Sequence, residues 1–131
     1  MTDATILLRQ VHPSWIQGDI ISQLVFTSQT FKPTLKDDGL LSVYHGDKFS
    51  PEEAFEHFTT TQGLISKGIV AVSKGECDTV PVDVLEDNNP FDGHCSLDYR
   101  EMSSNEIKKT AGILKNYAQT KGWLYINDIA L

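Results

Sequence analysis

Between Ser103 and Gly122 the sequence carries both ends of a helix. Ser103 and Glu106 stand at the spacing of a capping box, in which each side chain takes a backbone N–H of the first turn. Met102 and Ile107 are placed to form the accompanying hydrophobic staple. Ile107, Ala111, Leu114, Tyr117 and Ala118 then recur at helical spacing. Lys121 complements the negative end of the dipole, and Gly122 stops the helix. A helix with one apolar side must cover another layer. The rest of the chain offers mostly strands as that layer.

Thr5 to Val11 reads as a first strand, and its consecutive Ile6, Leu7 and Leu8 suggest burial on both faces. His12-Pro13 leaves it, because proline has no N–H for a ladder. Ile20 to Phe26 is strand-like, with pairing resuming near Thr30-Phe31. A turn follows at Lys36 to Gly39, with glycine suited to positive φ, and Leu40 to Tyr44 is the next strand. Ser50, Pro51 and Glu53 start a first helix, whose apolar side is Ala54, Phe55 and Phe58. It is expected to end near Thr60. Gly68 to Ser73 reads as a central strand, with Lys74 to Cys77 turn-like after it. Thr79 to Leu85 is a half-exposed strand, which Pro81 places at an edge. A loop at Glu86 to Pro90 leads to a strand at His94 to Tyr99, with Cys95, Leu97 and Tyr99 on one face. Trp123 to Ile126 closes the chain.

Strands and helices do not alternate strictly, which disfavours a doubly wound parallel sheet. The expected class is α+β: a mixed or mainly antiparallel sheet of about five to seven strands, with two helices packed on one face. At 131 residues, 40% hydrophobic and 22% charged, residues 1–131 fit a single soluble globular domain. No apolar run is long enough to span a membrane. Met1 to Ala4 lacks the basic start of a signal peptide. Cys77 and Cys95 make no disulfide framework, so a cytoplasmic chain is expected.

The net charge of −7 is concentrated. Glu76, Asp78, Asp83, Glu86, Asp87, Asp92, Asp98 and Glu101 crowd one stretch whose only base is Arg100. The remainder is neutral. No basic stripe offers itself to phosphates, which disfavours nucleic acid. A partner with a basic surface suits such a stretch; so does plain solvation.

Phosphate-binding glycine loops, CxxC, HExxH and EF-hand spacings are all absent, and no metal or cofactor is expected. Tyr44-His45-Gly46-Asp47, between a strand end and a helix N-terminus, is the most site-like string. His45 could carry a proton there, with Tyr44 or Asp47 orienting it and Lys48 drawing an anion, or the string could be only a polar loop in which Gly46 takes positive φ. Arg9 and His12 lie at the end of the first strand. His57 suits a helix C-terminus. His94 and Cys95, being adjacent in a strand, point to opposite faces, so His94 cannot easily activate that thiol. Cys77, in the turn-like Lys74 to Cys77, reads as exposed. Lys108, Lys109 and Lys115 form the outer side of the second helix. Trp15, in a loop, is a candidate binding anchor.

Arg9-Gln10-Val11-His12-Pro13, Pro33-Thr34-Leu35-Lys36-Asp37, Leu41 to Asp47 and Gly122-Trp123-Leu124-Tyr125 resemble segments of small uncharacterised bacterial proteins. That resemblance implies a bacterial, cytosolic, stand-alone chain and carries no activity, cofactor or catalytic residue. Two expectations remain. One is an accessory protein of immunity or regulator type. It would meet a basic protein partner through residues 76–101, with Asp83, Glu86, Asp87, Asp92 and Trp15 in the contact. The other is a small hydrolase or transferase acting on a phosphorylated or nucleotide substrate through His45, His12 and Arg9. Convergence of Arg9, His12 and His45 on one pocket would favour the enzyme, and their scattering would count against it.

Overall fold

The computed structural model describes residues 1–16, 25–34 and 37–127. Among these described residues six strands form one antiparallel sheet: β1 (Ile6–Val11), β2 (Leu40–His45), β3 (Gly68–Ser73), β4 (Asp83–Leu85), β5 (His94–Asp98) and β6 (Tyr125–Ile126). Their spatial order is β4-β5-β2-β1-β3-β6. Three α-helices accompany them: α1 (Pro51–Glu56), α2 (Lys74–Cys77) and α3 (Ser104–Lys121). The α+β class and the antiparallel sheet are those the sequence implies. No helix among the described residues is long and apolar enough to cross a membrane.

The sheet is covered on both sides, and here the structure corrects the expectation of two helices on one face. Leu7 and Val11 of β1, Val70 and Val72 of β3 and Leu41 and Val43 of β2 pack with Ala111, Leu114 and Ala118 of α3. Leu8, Ile69, Ala71 and Tyr44 point the other way and pack with Ala54 of α1. Neighbouring residues of a strand face opposite sides, so an apolar run such as Ile6-Leu7-Leu8 requires a cover on each.

Both capping boxes expected from the sequence close. Ser50 with Glu53 starts α1, and Ser103 with Glu106 starts α3. A third box, Ser73 with Glu76, turns the expected turn at Lys74 into α2 and buries Cys77. Gly122, at φ +88°, ends α3. The first helix continues beyond Glu56 as a π-helical turn, His57–Thr61. Of the expected strand at Thr79 to Leu85 only Asp83–Leu85 pairs, at the sheet edge, while Val80 and Val82 are drawn into the core. Thr30-Phe31 belongs to a 3-10 turn, Ser28–Phe31, instead of a strand. Most of the expected strand at Ile20 to Phe26 lies outside the described residues; Phe26 itself bridges Ile16. Gly46 does not take positive φ. It is needed because any Cβ there would collide with the side chain and carbonyl of Ile6, which accepts its N–H at 2.8 Å.

Candidate functional site

The α1 side of the sheet is apolar over β1 and β3, Gln10 excepted, and polar over β2 and β5. In antiparallel register Ser42 faces Ser96 and Tyr44 faces His94, and paired residues share a face. Ser42, Tyr44, His94 and Ser96 therefore stand together, opposite the Leu41, Val43, Cys95 and Leu97 side that meets α3. Leu85 of β4 pairs with Ser96, so the chain leaving β4 brings Asp87 alongside the same polar group.

Three of these residues form one continuous chain of hydrogen bonds. Asp87 Oδ1 lies 2.6 Å from His94 Nδ1, and His94 Nε2 lies 3.1 Å from Ser42 Oγ. A carboxylate only accepts, so Nδ1 carries the proton of the neutral ring. Nε2 is then left to accept from the Ser42 hydroxyl. The second Asp87 oxygen accepts from Ser96 at 2.6 Å. Burial alone would raise the Asp87 carboxyl, but the bonds from Ser96 and His94 outweigh it and hold the group below its usual value. His94 is 9% exposed, whereas Ser42 is open to solvent. The loop carrying Asp87 is tied by its own bonds: Asn88 N–H donates to the His94 carbonyl at 3.0 Å, and Gly93 N–H donates to Asn88 Oδ1 at 2.9 Å.

Ser42 and His94 line a cleft of about 360 Å³. One wall is apolar, built by Phe91, Pro90, Phe58 and Leu64. Phe91 holds that wall in place, with its ring centre 4.3 Å from His57 and 5.3 Å from His94. Tyr44 hydrogen-bonds His57 Nδ1 at 2.8 Å, and burial pushes its phenol well above the ordinary value, keeping it neutral. Gln10 donates to the Ala54 carbonyl at 2.9 Å and leaves its buried Oε1 without a partner.

Arg9 fills a split in the sheet. β1 pairs with β3 along its whole length but with β2 only at Leu7–His45 and Leu8–Tyr44. Beyond that point the strands part, and the guanidinium enters the gap. Its Nε donates to the Thr30 carbonyl at 2.7 Å and its Nη1 to the carbonyl of Ser42 at 3.0 Å. Trp15 lies against it, 5.3 Å from the ring centre. Burial lowers the Arg9 pKa to about 10, with Asp37 and Tyr99 pulling it back up, so the group stays charged at neutral pH.

The remaining residues singled out from the sequence scatter. His45, buried at the end of β2, accepts the Asp47 N–H at 3.1 Å and lies 3.1 Å from Glu86. Lys48 pairs with Asp92 at 2.7 Å. The Tyr44 to Lys48 string is thus engaged with the chain's own groups. His12 is exposed and caps the 3-10 turn Pro13–Trp15 through Ser14. Only Arg9 of the expected catalytic set reaches the cleft, joined there by half-buried Trp15. Asp87 serves His94 from behind, and Asp83 stands exposed on the edge strand. Both cysteines are fully buried, and burial raises the Cys95 thiol to about 11 and the Cys77 thiol to about 12. Neither is a thiolate nucleophile at neutral pH. Among the described residues no group of three or more His, Cys, Asp or Glu is placed to hold a metal ion.

Sequence reasoning missed Ser42 and the part His94 plays with it. They lie 52 positions apart in the chain and meet only through β2–β5 pairing. The available signal was the alternation His94, Ser96 against Cys95, Leu97, which puts two polar side chains on one face of a strand whose other face is core. Comparison with protein-family models, with curated proteins and with solved structures finds no match.

Proposed function

We propose that the protein is a small hydrolase that cleaves acyl esters through Ser42. The carrying observation is the unbroken Ser42–His94–Asp87 chain opening into a cleft. It has the nucleophile, base and orienting acid that acyl transfer needs, with the middle group already in the required tautomer. In the reaction Ser42 Oγ bonds to the ester carbonyl carbon while His94 Nε2 takes its proton. The ester C–O bond then breaks, and His94 returns that proton to the departing alkoxide. Water repeats the sequence on the acyl-serine, releasing the acid and restoring the Ser42 hydroxyl. Asp87 favours the imidazolium formed at each step.

This reading keeps the hydrolase class expected as one alternative and moves its chemistry from His45 and His12 to Ser42 and His94. The other expectation, an accessory protein using residues 76–101, has weaker support. Six of the eight acids there already face bases of this chain: Glu76 with Lys121, Asp78 with Lys74, Glu86 with His45, Asp87 with His94, Asp92 with Lys48 and Asp98 with Arg100. Reaction with a fluorophosphonate tests the proposal. Ser42 should displace fluoride and retain the phosphonyl group, seen by peptide mass mapping. Labelling should vanish in Ser42→Ala and slow sharply in folded His94→Gln. An unlabelled Ser42, or equal labelling in His94→Gln, refutes it.

A further inference from the structure

We infer that Arg9 selects the substrate: the esters this site takes carry an anionic group, a carboxylate, within a few bonds of the reacting carbonyl. The inference rests on the hydrolase reading above and adds its substrate class. Arg9 lines the same cleft as Ser42 and His94. Its charge has no carboxylate within ion-pairing distance among the described residues, although it is partly buried. A guanidinium removed from water calls for an anionic partner. Asp37, a carboxylate that also lines the cleft, is instead turned onto Thr34, accepting its N–H at 2.6 Å and its hydroxyl at 3.0 Å.

Rigidity and distance sharpen the assignment. The two carbonyl contacts and the Trp15 ring fix the plane of the guanidinium, so little freedom is lost when an anion binds. One of those carbonyls belongs to Ser42 itself. The positive charge is therefore held next to the residue that attacks, and only a short spacer fits between the ester carbonyl and the anion. Beyond it, the apolar wall of Phe91, Phe58 and Leu64 suits the leaving group.

Two esters on the same succinyl chain test this, each rate corrected for hydrolysis without protein: mono-4-nitrophenyl succinate, which is anionic, and its neutral methyl ester, 4-nitrophenyl methyl succinate. In the wild-type protein kcat/KM should favour the anionic ester by about tenfold or more, the size of one charge-assisted hydrogen bond. The preference should reside mainly in KM and shrink as salt is added. Arg9→Gln should abolish the preference and Arg9→Lys should keep part of it. Equal turnover of both esters by wild type overturns the inference, without recourse to a variant. So does an equal fall in kcat for both esters in Arg9→Gln, which would place Arg9 on the oxyanion instead. Calorimetric binding of methyl succinate monoanion to Ser42→Ala separates this inference from the hydrolase reading. If Ser42 proves unreactive, anion binding lost in Arg9→Gln still upholds the selection, and no binding refutes it.

Discussion

Asp87→Asn isolates the electrostatic part of the proposed relay. The substitution keeps shape and removes one negative charge. It need not disturb the ring tautomer. The new amide can turn its oxygen to His94 Nδ1 and its NH2 to Ser96, whose hydroxyl is able to accept as well as donate. What disappears is the attraction between the carboxylate and the imidazolium that forms as Ser42 attacks. With charge centres roughly 4 Å apart and an effective dielectric near 20, that attraction is about 4 kcal/mol. The Asp87 side chain is 31% exposed, so solvent screens part of it. A loss of about 1.5–4 kcal/mol follows, or about 10- to 1,000-fold in rate. Stopped-flow acylation by 4-nitrophenyl acetate reads the step directly, with far-UV circular dichroism confirming that the variant is folded. An unchanged acylation rate in a folded Asp87→Asn protein would refute the reasoning, because the carboxylate would then be only a structural acceptor.

The packing of α3 allows a stability prediction. Leu114 is fully buried among Val70, Val72 and the rest of the α3-side core, so Leu114→Ala should cost about 2–5 kcal/mol in urea unfolding. A cost under about 1 kcal/mol would mean the helix does not cover the sheet as described. Acid should destabilise the fold in a defined window. Desolvation notwithstanding, hydrogen bonds from Ser96 and His94 hold Asp87 below its usual pKa, and Arg100 does the same for Asp98. Their contribution is complete above the unfolded carboxylate value of about 3.9 and is lost as pH falls through the lower folded values. The urea midpoint should drop between pH 5 and pH 3, and drop less in Asp87→Asn. Parallel profiles would show that Asp87 has the same affinity for protons in both states.

Local rules made much of this fold legible. Capping boxes are relations between residues three apart, which is why Ser50 with Glu53 and Ser103 with Glu106 mark their helices without any tertiary context. Ser73 with Glu76 obeys the same rule and was hidden only because α2 is four residues long. Alternation settled which side of His94–Asp98 is core, and Pro81 placed its segment at an edge. Ile6-Leu7-Leu8 implied burial on both faces of the first strand, but the sequence left both helices expected on one face, and only the packed structure puts α1 and α3 on opposite sides.

The site was decided elsewhere. Ser42, Asp87 and His94 come from a strand, a loop and another strand, and no spacing rule relates them. They converge because β2 and β5 pair in one register, and a slip of a single residue would turn Ser42 to the opposite face. Arg9 shows the same division. In sequence it is an arginine near a strand end, with its neighbours' parity pointing it toward the core. Only the parting of β1 from β2 creates a gap where its charge can satisfy backbone carbonyls and still reach the cleft. Caps and alternation are short-range steric and hydrogen-bonding constraints, readable one turn or one strand at a time. A catalytic constellation depends on which distant strands become neighbours, and that follows from burying the whole sheet at once.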